Sequence, residues 1–233
     1  MASIQTAKKE LRQRMRCVLQ SLPPEAIAAQ CAKITSERLC ALPEYQQAQR
    51  IGVYLSMPAG ELSTTAIVQD ALARGKEVFI PYIHRVEAEP AQSKRVSVMD
   101  MLALTSMAEF EALVPDRWGI PSLQAEQVTD RDNCFGGQGV SPRRTIESTG
   151  GDRHGLDLIV MPGMAFDTGF RRLGHGKGYY DYFLTRFSKN EAQSKSGTLK
   201  MPFLGKKPTP LRRTNRHRTH KETRKKKEEK STF

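Results

Sequence analysis

The first half of the chain contains a strand, a helix and a second strand in immediate succession. Arg50–Ser56 and Glu77–Pro81 are short apolar segments, rich in β-branched and aromatic residues, as buried strands are. The helix between them begins at Ser63 or Thr64, both suitable cap residues, and ends before Gly75. Strands joined by a helix in this way pair in parallel, so an α/β fold with a parallel or mixed sheet is predicted.

Two predicted helices precede this unit, and further elements follow it. Residues 8–22 carry apolar residues at helical spacing, and Pro23–Glu25 opens a second helix because proline and glutamate suit a first turn. Arg95–Met99 is a candidate strand, and Leu156–Met161 is the strongest strand candidate of the chain. The aromatic residues of Tyr179–Phe187 recur at helical spacing, which predicts a helix there.

The positive charge of the chain lies mostly at one end. Residues 205–233 hold 12 of the 37 Lys and Arg and 3 of the 25 Asp and Glu, so they carry +9 of the net charge of +12. Their few large apolar residues cannot offset the entropy of ordering, so a disordered basic tail is predicted. Residues 129–154 are rich in Gly, Ser, Arg and Asp without periodicity, which predicts a surface insertion in a domain spanning 1–204.

The cysteines and the apolar segments limit the class of protein. The four cysteines have no C-x-x-C spacing and no cluster of histidines, so neither a zinc site nor a disulfide framework is predicted. No apolar run has transmembrane length, and the basic start resembles a transit peptide only loosely. We expect a cytoplasmic protein that does not contact membranes, with a mitochondrial or nuclear location left open.

The segment Arg171–Asp181, RRLGHGKGYYD, interleaves three alternate glycines with cations and a carboxylate. Such glycines let backbone N–H groups converge on an anion, and a helix that starts there adds its positive dipole end. Lys177 and the two arginines suit phosphates, Asp181 suits Mg²⁺, and Tyr179 and Tyr180 offer flat faces to a ring. Glycines alone would equally suit a turn, so the prediction of a nucleoside triphosphate site depends on the charged residues.

Five motifs occur in a fixed order along the chain. They are Lys8–Arg12, Tyr54–Met57 with Glu61, Trp118–Pro121, Asp157–Gly163 with Phe166–Asp167, and the glycine-rich segment. Together, from about residue 7 to 204, they resemble the 5-formyltetrahydrofolate cyclo-ligase family, also called methenyltetrahydrofolate synthetases. The resemblance implies a three-layer α/β/α single domain around a mostly parallel or mixed sheet. It also implies ATP-dependent cyclisation of 5-formyltetrahydrofolate to 5,10-methenyltetrahydrofolate, with release of ADP and phosphate.

The resemblance further implies which residues bind ATP and substrate. The expected ATP-binding residues are Lys8, Lys9, Glu10, Leu11, Arg12, Arg172, Leu173, Gly174, His175, Gly176, Lys177, Gly178, Tyr179 and Tyr180. The expected folate-binding residues are Leu55, Glu61, Trp118, His175, Gly176, Lys177, Gly178 and Tyr179. Lys177 and Tyr179 are expected to act in catalysis, Lys177 at the γ-phosphate, and Asp181 to bind Mg²⁺.

Each of these side chains also has an ordinary structural alternative. The basic residues near the start would be a solvated helix face, and Asp181 would be a helix-start acid. Glu61 would be a turn acid and Trp118 a core residue. His175, where related chains carry other residues, would be a cap or a surface histidine. These alternatives stay open at the level of sequence.

The end of the chain departs from the family pattern. Related chains continue past the segment equivalent to 201–204 with further strands and a second magnesium-binding aspartate, and here the basic tail stands in their place. The tail resembles a changed reading frame or splice product, and we expect low cyclo-ligase activity. Two alternatives follow: an impaired protein that still binds folate or ATP, or non-specific association of the tail with nucleic acid. The expected partners are 5-formyltetrahydrofolate and Mg-ATP, and the expected state is a monomer.

Overall fold

The computed structural model describes residues 3–86, 96–140 and 155–193. The helices and strands are, in chain order, α1 (Ile4–Gln20), α2 (Pro24–Lys33), α3 (Pro43–Gln47), β1 (Arg50–Val53), α4 (Thr65–Ala73), β2 (Glu77–Val86), β3 (Val96–Leu104), α5 (Met107–Glu111), β4 (Val114–Pro115), β5 (Pro121–Ser122), β6 (Leu158–Val160), β7 (Ala165–Phe166), β8 (Arg172–Leu173) and α6 (Tyr179–Gln193). A π-helical segment, Ile34–Leu39, continues α2. The predicted basic tail and the predicted domain boundary lie outside these ranges.

Four strands form the central sheet in the order β3-β2-β1-β6. Strand β1 pairs in parallel with β2 and with β6, while β2 and β3 pair antiparallel from Val78↔Leu104 to Val86↔Val96. The predicted strand, helix and strand correspond to β1, α4 and β2. Gly75 follows α4 with a φ of +72°, as its predicted role at the end of the helix requires. The predicted mixed, mostly parallel sheet is confirmed.

Apolar side chains project from both faces of the sheet, because successive strand residues point to opposite sides. They form one hydrophobic cluster on each face. Val78 and Ile80 join a cluster that includes Tyr45 of α3 and Val68 of α4. Phe79, between them, joins the second cluster. That cluster consists of Phe79, Met99, Met101, Cys134, Phe135, Leu156, Ile159, Phe183 and Phe187. Helices therefore cover both faces, and the predicted three-layer α/β/α fold is confirmed.

The start of the predicted surface insertion is packed against the sheet. Cys134 is fully buried, Phe135 is 5% exposed, and both contact the cluster beneath α6. Backbone bridges join Leu102 to Asn133 and Asp132 to Gln138. The prediction of a surface insertion over 129–154 is therefore wrong for the buried residues Asn133, Cys134 and Phe135, while Thr129, Asp130 and Asp132 are exposed. Turn-forming residues surround these buried side chains, so no periodicity marks the burial; residues 141–154 lie outside the described ranges.

The chain after β6 leads directly to the glycine-rich segment. Strands β7 and β8 form a small hairpin, in which Ala165 pairs with Leu173 and Phe166 with Arg172. Helix α6 begins at Tyr179, six residues after Leu173, the last residue of β8. Its buried Phe183 and Phe187 fix it on the sheet. Within the described ranges, no helix has the length and apolar character needed to cross a membrane.

Candidate functional site

The glycine loop, Gly174–Gly178, connects the β7–β8 hairpin to α6. Gly176 has a φ of +97° and Gly178 a φ of +76°, both in the left-handed region that other residues rarely adopt. Lys177 lies between them and is exposed. The loop thus presents a cation immediately before the amino-terminal end of a helix, where backbone N–H groups and the helix dipole favour an anion.

Helix α1 lies against this loop. Nε of Arg12 donates a hydrogen bond to the carbonyl oxygen of Gly174 at 2.9 Å. A Cβ atom built on Gly176 would lie 3.2 Å from Cζ of Arg12, so the helix approaches the loop closely. Lys8 is one turn earlier on α1 and is exposed. Two segments predicted to bind ATP, far apart in sequence, are therefore neighbours.

Arg172 ties the hairpin to α6. Its Nη2 lies 2.7 Å from Oδ1 of Asp181, and its Nη1 donates to the carbonyl oxygen of Pro162 at 3.0 Å. The Arg172 side chain is 14% exposed and its guanidinium lies 5.5 Å from the centroid of the Tyr180 ring. Asp181, in contrast, keeps 78% of its side chain exposed. Arg172 is therefore held by contacts within the protein. Asp181 is one of its partners, but most of the Asp181 side chain stays accessible to a ligand.

Glu61 contacts the glycine loop at His175, the residue after Gly174. Its Oε1 lies 3.3 Å from Nε2 of His175, and its Oε2 accepts a hydrogen bond from the backbone N–H of Met57 at 3.0 Å. Burial, followed by the negative charge of Glu61, raises the pKa of the Tyr54 and Tyr180 hydroxyls. Glu61 is therefore a largely buried carboxylate that contacts the segment after β1 at Met57 and the glycine loop at His175.

The other two predicted substrate contacts differ in exposure. Leu55 is 5% exposed and packs in the core cluster on the α4 side. Its predicted contact with the folate stays a prediction. Trp118 is 49% exposed, so the alternative of a core tryptophan is wrong. The turn that carries it packs on the segment before Glu61, since a Cβ atom on Gly119 would lie 2.7 Å from Cγ of Pro58.

The acidic residues near the glycine loop suit a metal ion that is bound jointly by the protein and by a ligand. Among the residues that the structure describes, no three His, Cys, Asp or Glu side chains group into a metal site. Mg²⁺ in nucleotide sites usually takes one or two protein carboxylates and completes its shell with phosphate oxygens and water. The exposed carboxylate of Asp181, beside the glycine loop, fits that donor set.

The chain matches a known family over most of its length. The model of the 5-formyltetrahydrofolate cyclo-ligase family matches residues 4–201. The chain belongs to this family. Membership in a family of ligases, predicted from the five motifs, is thereby confirmed.

Two relatives of this cyclo-ligase family member, both more than 30% identical to it, agree with the assignment, and one solved structure is similar to it. A probable 5-formyltetrahydrofolate cyclo-ligase of Caenorhabditis elegans is 32% identical over 190 residues, which are 82% of this chain and 78% of the relative. The 5-formyltetrahydrofolate cyclo-ligase of Mus musculus is 33% identical over 201 residues, 86% and 84% of the two chains. An NMR structure of Aquifex aeolicus 5,10-methenyltetrahydrofolate synthetase has 26% identity and a TM-score of 0.49, and the match covers 77% of this chain and 72% of that one.

Two features of this cyclo-ligase family member were not predicted from its sequence. The guanidinium of Arg117 lies 3.9 Å from the centroid of the Trp118 ring. Asp100 of β3, 2% exposed, accepts a hydrogen bond from Nη1 of Arg186 at 2.8 Å and lies 3.1 Å from Nε2 of His84. The signal for the second feature is an aspartate within the apolar run of β3, because a buried charge requires partners.

Proposed function

We propose that the chain catalyses the ATP-dependent cyclisation of 5-formyltetrahydrofolate to 5,10-methenyltetrahydrofolate, with release of ADP and phosphate. The observation that carries the proposal is a pair of contacts made by consecutive loop residues. Gly174 accepts a hydrogen bond from Arg12 of α1, and His175 lies 3.3 Å from the Glu61 carboxylate. The glycine loop thus separates a cationic surface, suited to phosphates, from a carboxylate, suited to the N–H groups of a pterin.

The chemistry requires the two substrates to meet at such a loop. The formyl oxygen is a poor leaving group, and transfer of the γ-phosphoryl group from ATP to that oxygen makes it a good one. N10 of the folate then attacks the formyl carbon and loses its proton, the carbon–oxygen bond breaks, and inorganic phosphate leaves with the oxygen. The protein contributes by aligning the two substrates and by stabilising charge on the transferred phosphoryl group.

On the ATP side, the proposed roles follow from exposure and charge. Lys177 is an exposed cation between two left-handed glycines, and we assign it to the γ-phosphate. Tyr179 begins α6 directly after the loop and is assigned to the reacting centre. Lys8 and Arg12 supply cations from α1. Asp181 would hold Mg²⁺, which when bound neutralises charge on the phosphates.

On the folate side, Glu61 is the main recognition group. Its carboxylate is 12% exposed, so hydrogen bonds to a pterin amine and ring N–H would form largely shielded from water. His175 lies against the same carboxylate and limits its orientation. The exposed ring of Trp118 offers a stacking surface beside the segment that carries Glu61.

A turnover assay tests the proposal. Purified protein with 5-formyltetrahydrofolate and Mg-ATP is expected to form one ADP for each methenyltetrahydrofolate, followed by the absorbance of the product. Lys177→Ala should lower kcat by about 100-fold, as loss of one group that stabilises transition-state charge does. Lys189→Ala, at an exposed lysine of the helix that follows the loop, α6, is the matched control and should retain activity. Product formation that does not require ATP would contradict the proposal.

The same assay separates the proposed enzyme from an impaired binding protein. Binding of both substrates in calorimetry without turnover would indicate the impaired protein. Turnover at any ATP-dependent rate that Lys177→Ala reduces would support the enzyme. Cytoplasmic location and a monomeric state remain predictions, which cell fractionation and sedimentation would check.

A further inference from the structure

A buried ion pair joins α6 to β3 at a distance from the glycine loop. Nη1 of Arg186, on α6, donates to Oδ1 of Asp100 at 2.8 Å and to the carbonyl oxygen of Met99 at 3.2 Å. The side chains of Arg186 and Asp100 are 14% and 3% exposed. The helix that follows the glycine loop is therefore linked to the sheet by a charged contact that is largely closed to water.

Both partners of this pair are held by other groups. The second carboxylate oxygen of Asp100, Oδ2, accepts a hydrogen bond from Nδ2 of Asn133 at 3.2 Å and lies 3.1 Å from Nε2 of His84. The guanidinium carbon of Arg186 lies 4.5 Å from the centroid of the Phe135 ring. Because the groups around Asp100 limit the orientation of its carboxylate, the pair permits little movement of α6.

The apolar contacts of α6 restrict the helix in a different way. Phe183 and Phe187 are buried beneath it and stabilise its packing on the sheet. Hydrophobic attraction is non-directional, whereas a hydrogen bond weakens steeply as its angle departs from linearity. The contact between Arg186 and Asp100 is therefore more sensitive than the apolar contacts to a small rotation or sliding of the helix.

Stability alone does not account for a buried arginine at this position. A buried ion pair loses the hydration of both charges, and apolar residues of similar volume often give an equally stable or more stable protein. In addition, Nε of Arg186 is buried and has no hydrogen-bond partner among the described residues. An unpaired buried donor costs further free energy. The geometry that the pair imposes on α6 explains the arginine better than its contribution to stability does.

The pair lies on the same side of α6 as the residue that begins the helix. Arg186 follows Tyr179 by seven positions, which are about two turns and about 10 Å along the helix axis. The first turn is joined to the glycine loop, because the N–H of Tyr182 donates to the carbonyl oxygen of Gly178 at 2.9 Å. A displacement of α6 at Arg186 would therefore move Tyr179 and the end of the loop with it.

We propose that Asp100 and Arg186 are positioning residues, whose contact fixes the place of α6 on the sheet and thereby the place of Tyr179 and the glycine loop. The inference rests on the proposed function, which assigns the loop to ATP and Tyr179 to the reacting centre. Both residues act through the backbone of α6 and not by contact with a substrate. A displacement of about 1 Å at reacting groups lowers a rate by up to about 100-fold, so loss of the pair affects kcat more than substrate binding.

Arg186→Met tests the inference, because methionine replaces the guanidinium with an unbranched apolar group. Arg131→Met is the matched control, since the Arg131 side chain is 13% exposed and pairs with Glu109 of α5. Urea unfolding first identifies a temperature at which each variant is folded. There, kcat of Arg186→Met should be lower by about tenfold or more, with each KM changed by less than about threefold. Arg131→Met should keep the kcat of the unmodified chain, and Arg186→Lys, which keeps the charge, should restore part of the lost kcat.

A second measurement does not depend on turnover. Hydrogen exchange of the Tyr182 amide reports opening of the first turn of α6, because this amide is bonded to Gly178. Exchange should be about tenfold faster in Arg186→Met than in Arg131→Met, since only the first variant releases α6 locally. If the unmodified chain forms no methenyltetrahydrofolate, the proposed function fails and this exchange alone decides the inference. Equal exchange in the two variants, or equal kcat in an active chain, would overturn it.

Discussion

Arg12 and Gly174 are 162 positions apart in the chain and are joined by a hydrogen bond of 2.9 Å from Nε of the arginine to the carbonyl oxygen of the glycine. The bond attaches α1 to the glycine loop. Helix α1 has no buried residue along its 17 positions, so contacts of this kind, rather than core packing, hold it in place. The affinity of the site for ATP is therefore expected to depend on this arginine.

Arg12→Ala should weaken ATP binding by about tenfold or more, because a charged hydrogen-bond donor and a nearby cation are lost together. Arg14→Ala is the matched control, since Arg14 is an exposed arginine of the same helix, α1. Calorimetric titration with Mg-ATP measures both variants. Equal losses in the two variants would mean that only the net charge of α1 matters, and would contradict a specific role for the contact with Gly174.

Substitutions of the two left-handed glycines should separate backbone strain from contact with Arg12. Alanine at Gly176 or at Gly178 should each lower the free energy of unfolding by about 1 to 2 kcal/mol, since both positions have a positive φ. Only at Gly176 does the new Cβ also approach Arg12, to 3.2 Å, while nothing lies within 4 Å at Gly178. Urea unfolding and ATP titration should show similar stability losses but a larger loss of ATP affinity for Gly176→Ala. Equal ATP affinities would contradict the inferred contact.

The elements and the glycine loop could be predicted because their signals are local. Helix α4 and its neighbouring strands are marked by apolar spacing, by cap residues and by Gly75. The loop is marked by its glycines and cations, and its place after a strand indicated an edge of the sheet. Spacing in the sequence does not, however, give distances between segments. The contacts of Arg12 with Gly174 and of Glu61 with His175 are tertiary, and the family resemblance alone suggested that these segments belong to one site.

Other features could not be predicted because the local composition does not indicate what the structure shows. Cys134 and Phe135 are buried within a stretch of turn residues, so the stretch resembles a surface loop in every local property. Arg117 and Trp118 are adjacent residues whose stacking depends on the turn geometry set by Asp116. In both cases the decisive information is the fold of a short segment without periodicity.

The buried carboxylate of Asp100 should make stability depend on pH in the acid range. Burial raises the pKa of Asp100, but the hydrogen bond with His84 and the charge of Arg186 together hold it below its usual value. Asn133 also donates to the same carboxylate at 3.2 Å. A lowered pKa in the folded state contributes stability above the unfolded value, about 3.9, and that stability is lost as the pH falls through the folded pKa.

Asp100→Asn should therefore destabilise the chain at neutral pH, by about 3 kcal/mol or more, because it leaves the Arg186 charge without its buried partner. The difference from the unmodified chain should shrink below about pH 4, where this aspartate takes up a proton in the unfolded form before it does so in the folded form. Urea unfolding at pH 7 and at pH 3 measures both effects. Asp130→Asn, at an exposed aspartate, is the control and should change stability by no more than about 0.5 kcal/mol. A constant difference at the two pH values would contradict the assigned ionisation.

Glu61→Gln should separate folate recognition from ATP binding. The side chain keeps its size and one carbonyl oxygen, but its negative charge beside His175, Tyr54 and Tyr180 is lost. Affinity for 5-formyltetrahydrofolate should fall by about 10-fold to 100-fold, as expected for loss of a charge-assisted hydrogen bond in a shielded site. Affinity for Mg-ATP should be unchanged, because Arg12 contacts the loop at Gly174, whereas Glu61 contacts it at His175. Glu44→Gln, at a half-buried glutamate of α3, is the control. Loss of ATP affinity equal to the loss of folate affinity would show that Glu61 maintains the loop as a whole and does not select the folate.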